Sequence, residues 1–253
     1  GYEVIDIREN EAANNNEKLV SSHENQLENE YLKINIKENG SLDIFEKESG
    51  EKFSALTYEE KGDDGDEYDY SPPKNDRIFT TENLKAEITK LYENNFETAF
   101  EIKHVMMVPN ALNPDRSGRN TELTELKIKS TVSLRAASRI IAVKTELYNN
   151  SHDHIIKVLC SAPVTTDSSY AGDHFSVIKR DNQISVPENW KELNYKSKPL
   201  PIYPMQGFTD ISDSKTGIAV LSAGLPEYEI YNNDTIALTL MRSVGKMGKS
   251  DLE

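Results

Sequence analysis

Residues 31–45 read YLKINIKENGSLDIF, and this stretch decides the fold class. Apolar Leu32, Ile34 and Ile36 alternate with polar residues, which is the period of two that buries one face of a β-strand and wets the other. The dipeptide Asn39-Gly40 follows, and between alternating segments it indicates a tight hairpin turn. We therefore predict two antiparallel strands with one face in a core.

The same period of two recurs along most of the chain, with turn-forming residues between the segments. No convincing amphipathic helix and no internal repeat are visible. Many antiparallel strands with one solvated face each stack as sheets, so we predict an all-β fold, a large antiparallel β-sandwich. Beyond residues 31–45, the predicted strands are 84–92, 96–108, 126–134, 139–148, 154–160, 202–210, 216–222, 227–231 and 235–242.

The chain has 253 residues, and a single all-β domain of this size is common. Residues 9–30 are rich in Asn, Glu and Ser, which predicts a linker or a surface loop. We assign residues 1–26 to a linker and residues 27–253 to the predicted sandwich domain. Long loops are predicted at 60–77, 109–120 and 181–201. The single cysteine, Cys160, excludes an internal disulfide framework and a Cys-rich zinc site, and it fits a reducing compartment.

The charge balance excludes two classes of partner. The chain carries 29 Lys and Arg against 43 Asp and Glu, a formal net charge of −14. A negative field of this size repels the phosphates of nucleic acids and the surfaces of anionic membranes. We therefore expect no nucleic-acid and no membrane partner.

The densest polar segment of the chain is Gly62 to Pro72, GDDGDEYDYSP. It has three interpretations: a solvated acidic loop, a calcium loop, or a loop that contacts sugar. The twelve-residue calcium pattern that ends in Glu is absent. Carboxylates such as that of Asp66 accept hydrogen bonds from sugar hydroxyls, and tyrosine rings cover the apolar faces of sugars. Tyr68 and Tyr70, two residues apart, would share one side of an extended segment.

Other reactive constellations are weak. His152 and His154 would share one face of a strand, and Asp173 with His174 would complete a metal site, but solvated imidazoles explain the same residues. The sequence contains no Gly-x-Ser-x-Gly elbow, no phosphate loop and no dinucleotide fingerprint. Glycosidase chemistry needs two converging carboxylates, and no local motif singles out such a pair.

Four segments in a fixed order give more specific information about the fold and the function. They are residues 27–50, residues 62–72, residues 202–225 with IYPMQGF at 202–208, and residues 238–245 with LTLMRSVG. Together they resemble the C-terminal β-domain of bacterial α-mannosidases of glycoside hydrolase family 38, a branch that includes enzymes acting on mannosyl-glycerate compounds. The likeness runs from about residue 27 to the end of the chain.

The resemblance implies a β-supersandwich of the galactose-mutarotase-like type. It also implies a retaining α-mannosidase that depends on a divalent metal, usually zinc. In the family, the catalytic carboxylates and the metal ligands lie in a preceding barrel and helical segment, so no catalytic or metal residue carries over to this chain. We therefore expect a fragment that is inactive alone, truncated at its C-terminal end, with residues 1–26 ending a preceding small β-domain. The resemblance also implies a cytoplasmic protein of mannose metabolism.

The resemblance assigns candidate substrate-binding residues. Arg242 falls where the family carries an arginine that faces the active site, and Asp66, Tyr68 and Tyr70 match its acidic–aromatic loop. The expected partners are a mannose-containing carbohydrate and the N-terminal catalytic domain of the same chain. Two alternatives stay open: a stand-alone carbohydrate-binding or scaffold module, and an aldose epimerase, which would need a His acid and a Glu base in one groove.

Overall fold

The computed structural model describes residues 20–193, 195 and 198–246. This part of the chain is all-β and contains no helix, which confirms the predicted fold class, and it therefore has no helix long and apolar enough to cross a membrane. The strands are β1 (Ser21–His23), β2 (Gln26–Glu28), β3 (Leu32–Ile36), β4 (Leu42–Glu46), β5 (Lys52–Gly62), β6 (Phe79–Thr80), β7 (Glu87–Glu93), β8 (Glu97–Pro109), β9 (Leu123–Arg135), β10 (Ile141–Tyr148), β11 (His154–Ser161), β12 (Ser168–Asp173), β13 (Ser176–Asp181), β14 (Ile202–Pro204), β15 (Phe208–Ser212), β16 (Gly217–Leu221), β17 (Glu227–Tyr231) and β18 (Thr235–Ser243).

The strands form one large sheet and two small ones, and every strand pairing is antiparallel. The ten-stranded sheet has the order β1-β2-β3-β4-β5-β11-β18-β17-β14, with β6 paired to β5. The four-stranded sheets have the orders β10-β9-β8-β7 and β13-β12-β15-β16. Along the described strands the chain therefore crosses between sheets six times, after β6, β10, β11, β13, β14 and β16.

Both small sheets cover the same face of the large sheet. Tyr58, Val158, Leu238 and Tyr228 are cross-strand partners in four neighbouring strands, so their side chains share one face. Val158 packs against two hydrophobic clusters. The first cluster joins the large sheet to β8 and β9, and the second joins β17 and β18 to β12 and β15. The opposite face, which we call the open face, carries no second sheet within the described residues.

The hairpin predicted around Asn39-Gly40 forms. β3 pairs with β4, and the alternating Leu32, Ile34 and Ile36 are buried. Gly40 adopts a φ of 78°, and a Cβ there would come within 2.6 Å of His104 Nε2, so the turn requires glycine. The His104 ring, held by Nε2 at 2.8 Å from the carbonyl of Asn39, thus anchors the hairpin to the second sheet.

The structure differs from the predicted strands in several places, including the short strands β2 and β6, which were not predicted. β5, eleven residues long, was not predicted, because three consecutive charged residues at 59–61 hide its alternation. β12 and β13 were also not predicted, and the predicted strand 202–210 divides into β14 and β15, which lie in different sheets. In the predicted linker 1–26, residues 21–23 already form an edge strand of the large sheet, while residues 1–19 lie outside the described part.

Candidate functional site

Four loops meet at one end of the large sheet. Gly62 at the end of β5 pairs with His154 at the start of β11, which pairs with Ser243 at the end of β18. The segments that continue from these three residues therefore leave the sheet at the same edge, where the loop between β8 and β9 joins them. Backbone hydrogen bonds connect them, including one of 2.9 Å from the Asp63 amide to the carbonyl of Asp153.

Arg242 lies at the centre of this edge and is held on two sides. Its Nε donates to Asp63 Oδ2 at 2.8 Å, and its Nη2 donates to the backbone carbonyl of Asp66 at 2.9 Å. The Asp63 side chain is fully buried, whereas 15% of the Arg242 side chain is exposed. Within the described residues Nη1 contacts no acceptor, so one edge of the guanidinium keeps free donors. This orientation is what a guanidinium needs to bind a ligand through parallel hydrogen bonds.

Asp63 also closes the segment that it begins, residues 63–72, which we call the acidic loop. Its Oδ1 accepts hydrogen bonds from the amides of Gly65 at 2.8 Å and Ser71 at 3.2 Å. Asp66 Oδ1 accepts from the amides of Tyr68 and Asp69, and these bonds lower the pKa of the Asp66 carboxyl, with a smaller contribution from the charge of Arg242. The acidic loop is thus folded on its own carboxylates.

A second arginine extends the group of ion pairs. Arg116 Nε lies 2.5 Å from Asp64 Oδ1, and its Nη1 lies 3.2 Å from Asp153 Oδ1. The same Asp153 oxygen accepts a hydrogen bond from the amide of Gly245 at 2.9 Å, which fastens the segment after β18. Asp63, Asp64, Arg116, Asp153 and Arg242 form what we call the aspartate–arginine cluster.

The structure brings the four predicted site residues into one region but in different roles. Asp66 contacts Arg242 through its carbonyl, not its carboxylate. Tyr68 lies on the acidic loop and is 75% exposed. Lys157 Nζ lies 5.8 Å from the centroid of the Tyr70 ring. Burial, together with neighbouring carboxylates, raises the pKa of Tyr70. Tyr68 is therefore exposed and Tyr70 only partly so, and their shared role in contacting sugar stays a prediction.

The sequence of residues 27–246 matches the family described as "Glycosyl hydrolases family 38 C-terminal domain". The chain belongs to glycosyl hydrolase family 38. A relative from Halalkalibacterium halodurans, named "Putative mannosylglycerate hydrolase", is 28% identical over 266 residues, covering 98% of this chain and 29% of the relative.

Two solved structures resemble this family 38 domain. An α-mannosidase from Enterococcus faecalis V583 matches with a TM-score of 0.82 and 32% identity, over 89% of this chain and 26% of that one. A family 38 protein from Enterococcus faecalis matches with a TM-score of 0.79 and 30% identity, over 89% and 27%. The chain thus spans under a third of the length of these relatives.

The open face of the family 38 domain carries a polar layer beside the cluster. Lys157 is buried and its Nζ lies 2.7 Å from Glu229 Oε2. Lys61 Nζ contacts Glu59 at 2.8 Å and donates to the Tyr231 hydroxyl at 2.7 Å, and that hydroxyl donates to Glu59 at 2.8 Å. Sequence reasoning missed this layer. The alternation of Glu227, Glu229 and Tyr231 along one strand is the pattern that could have indicated it.

The histidines of the family 38 domain form no metal site. Among the residues that the structure describes, no three His, Cys, Asp or Glu side chains converge on a position for a metal ion. His152 is exposed, and His174 pairs with Asp173 at 3.2 Å. His154 Nδ1 lies 2.9 Å from Glu60 Oε1, but both side chains are fully buried, so this His–Glu pair offers an epimerase substrate no access.

Proposed function

We propose that this domain forms the substrate-facing wall of a retaining α-mannoside hydrolase, with Arg242 as its main sugar contact. Family membership and the names of the α-mannosidase from Enterococcus faecalis and the relative from Halalkalibacterium halodurans support the reaction class. The observation that carries the role of Arg242 is its guanidinium, fixed by Asp63 and the Asp66 carbonyl with one edge left free.

The residues of this chain bind and orient the sugar in this proposal. The free Nη1 of Arg242 donates to sugar hydroxyls, and the exposed Tyr68 ring offers an apolar surface to the C–H face of the sugar. Retention requires a nucleophilic carboxylate and an acid–base carboxyl about 5 Å apart. We assign both groups, and the divalent metal, to a catalytic domain outside this chain. That catalytic domain is the proposed protein partner of the β-domain described here.

An activity assay tests the assignment of catalysis to a domain outside this chain. The chain is incubated with an aryl α-mannoside, with and without zinc, and release of the aryl alcohol is followed. We expect no turnover above buffer, because positioned carboxylates and metal supply most of the rate enhancement in this chemistry. Clear turnover by the purified chain would overturn the assignment of catalysis to another domain.

A binding experiment tests the role of Arg242. The Nε–H resonance of Arg242, assigned by its loss in Arg242→Lys, is followed by NMR during titration with methyl α-mannoside. We expect a saturable shift. A wild-type resonance that does not move at any mannoside concentration argues for the alternative of a scaffold module. Saturable binding by calorimetry that persists in Arg242→Lys argues for a carbohydrate-binding module with its site elsewhere.

A further inference from the structure

Asp63 and Asp66 surround the guanidinium of Arg242 with negative charge. The fully buried carboxylate of Asp63 takes the Nε hydrogen at 2.8 Å, and Nη2 donates to the backbone of Asp66. The carboxylate of Asp66 is close enough for the charge of Arg242 to lower its pKa, after the larger effect of the amides of Tyr68 and Asp69. The free Nη1 is therefore a donor whose positive charge is already compensated.

This compensation decides which ligand the free edge accepts. A carboxylate or phosphate brought to Nη1 meets the field of two aspartates in the same loop, and the net charge of −14 of the chain adds to the repulsion. A hydroxyl carries no net charge and needs only the donor hydrogens. Specificity can come from such a repulsive element as much as from an attractive contact.

We propose that Asp63 is a specificity-determining residue, which makes Arg242 select the hydroxyls of a neutral sugar and reject an anionic group at this position. The proposal rests on the proposed role of Arg242 in sugar binding. It extends that role because a bare arginine would favour carboxylate or phosphate over a hydroxyl. Asp63 itself contacts no sugar and acts only through Arg242.

The test compares two probes on the full chain, inorganic phosphate and methyl α-mannoside, with the Arg242 Nε–H resonance as the readout. In the wild-type chain we expect no saturable shift with phosphate. In Asp63→Asn, which keeps the size of the side chain but removes its charge, we expect a saturable phosphate shift. The phosphate affinity of Asp63→Asn should exceed the upper limit set by the wild-type titration by about tenfold or more, as expected when a like charge beside the ligand is removed.

Asp64→Asn is the matched control, because it removes one charge from the same loop. Asp64 pairs with Arg116 and not with Arg242, so the phosphate response of Arg242 should stay absent in this variant. A response equal to that of Asp63→Asn would show that only net charge matters and would overturn the proposal. Circular dichroism confirms that each variant is folded.

The outcomes separate this inference from the proposed function. If Asp63→Asn does not fold, the wild-type arm still decides, because a saturable phosphate shift in the wild-type chain overturns the proposal and its absence supports it. If methyl α-mannoside leaves Arg242 unmoved while the phosphate contrast between wild type and Asp63→Asn persists, the sugar-binding role fails. In that case the control of anion access by Asp63 stands.

Discussion

Glu60 and Arg119 form a two-pronged ion pair in which neither side chain has any exposed surface, although 59 residues separate them. Arg119 Nη2 lies 2.5 Å from Glu60 Oε1, and Nη1 lies 3.2 Å from Oε2. His154 Nδ1 contacts the same Oε1 at 2.9 Å. The pair joins the loop between β8 and β9 to β5, and His154 extends this connection to β11, directly beside the aspartate–arginine cluster.

Breaking this pair from one side is expected to destabilise the fold strongly. Glu60→Gln removes the close partner of the buried Arg119 charge and leaves only the longer contact of 3.7 Å to Asp76. The free energy of unfolding should therefore fall by about 3 kcal/mol in urea titrations. Arg139→Gln is the control, because Arg139 pairs with Glu46 at the surface and its loss should not be resolved from experimental error. Equal stability of Glu60→Gln and wild type would contradict the prediction.

Gly65 is expected to be essential for the acidic loop. A Cβ at this position would lie 1.8 Å from the Asp69 carbonyl oxygen, so Gly65→Ala forces the loop open and should cost about 2 kcal/mol, as overpacking typically does. The Arg242 Nε–H resonance should also lose its protection from exchange. Gly50→Ala is the control: its φ of 76° costs about 1 kcal/mol, but no atom lies within 4 Å and Arg242 should be unaffected. A protected Arg242 resonance in Gly65→Ala would refute this requirement.

The protein is expected to lose stability at alkaline pH because the pKa of Tyr58 is raised in the folded state. Burial raises its pKa from 10.0 to about 12, opposed by hydrogen bonds to Ser130 and Thr145. The folded state therefore holds the phenolic proton more tightly than the unfolded state. The stabilisation is complete below pH 10 and falls towards pH 12, at up to about 1.4 kcal/mol per pH unit.

Tyr58→Phe isolates this contribution, because its side chain has no proton to lose. At pH 7 the variant should be less stable by about 1–2 kcal/mol, since the hydroxyls of Ser130 and Thr145 lose a buried partner. Between pH 10 and 12 the difference from wild type should shrink in matched urea titrations. A constant difference across this range would show that Tyr58 does not titrate as described.

Cys160 is expected to be a slow thiol. The residue keeps some exposed surface, but its thiol is buried, and this burial raises its pKa from 9.0 to about 11. The thiolate is the reactive form, and the raised pKa makes it about a hundredfold rarer near pH 8 than in the unfolded chain. The reaction of Cys160 with Ellman's reagent should be slower by the same factor. The chain has a single cysteine, so the measurement is direct. Equal rates in native buffer and in guanidinium would contradict the burial.

The strands that the sequence predicted well are those whose burial comes from apolar side chains. In β3 and β9 the buried positions alternate strictly, and the period of two is visible in the residue types. β5 has Glu59 and Glu60 on opposite faces, both buried by ion pairs, so polarity no longer reports which side is inside. The polar layer on the open face escaped prediction for the same reason.

The sequence by itself determined the period of the strands, the hairpin at Asn39-Gly40 and the family, because alternation, turn propensity and ordered segments are properties of neighbouring residues. Only the tertiary structure decided that Arg242 meets Asp63, 179 residues away, and that Tyr70 turns towards Lys157. Those contacts depend on which strands pair and in what register. Many side chains of the chain could satisfy a guanidinium, and only the folded sheet edge selects one of them.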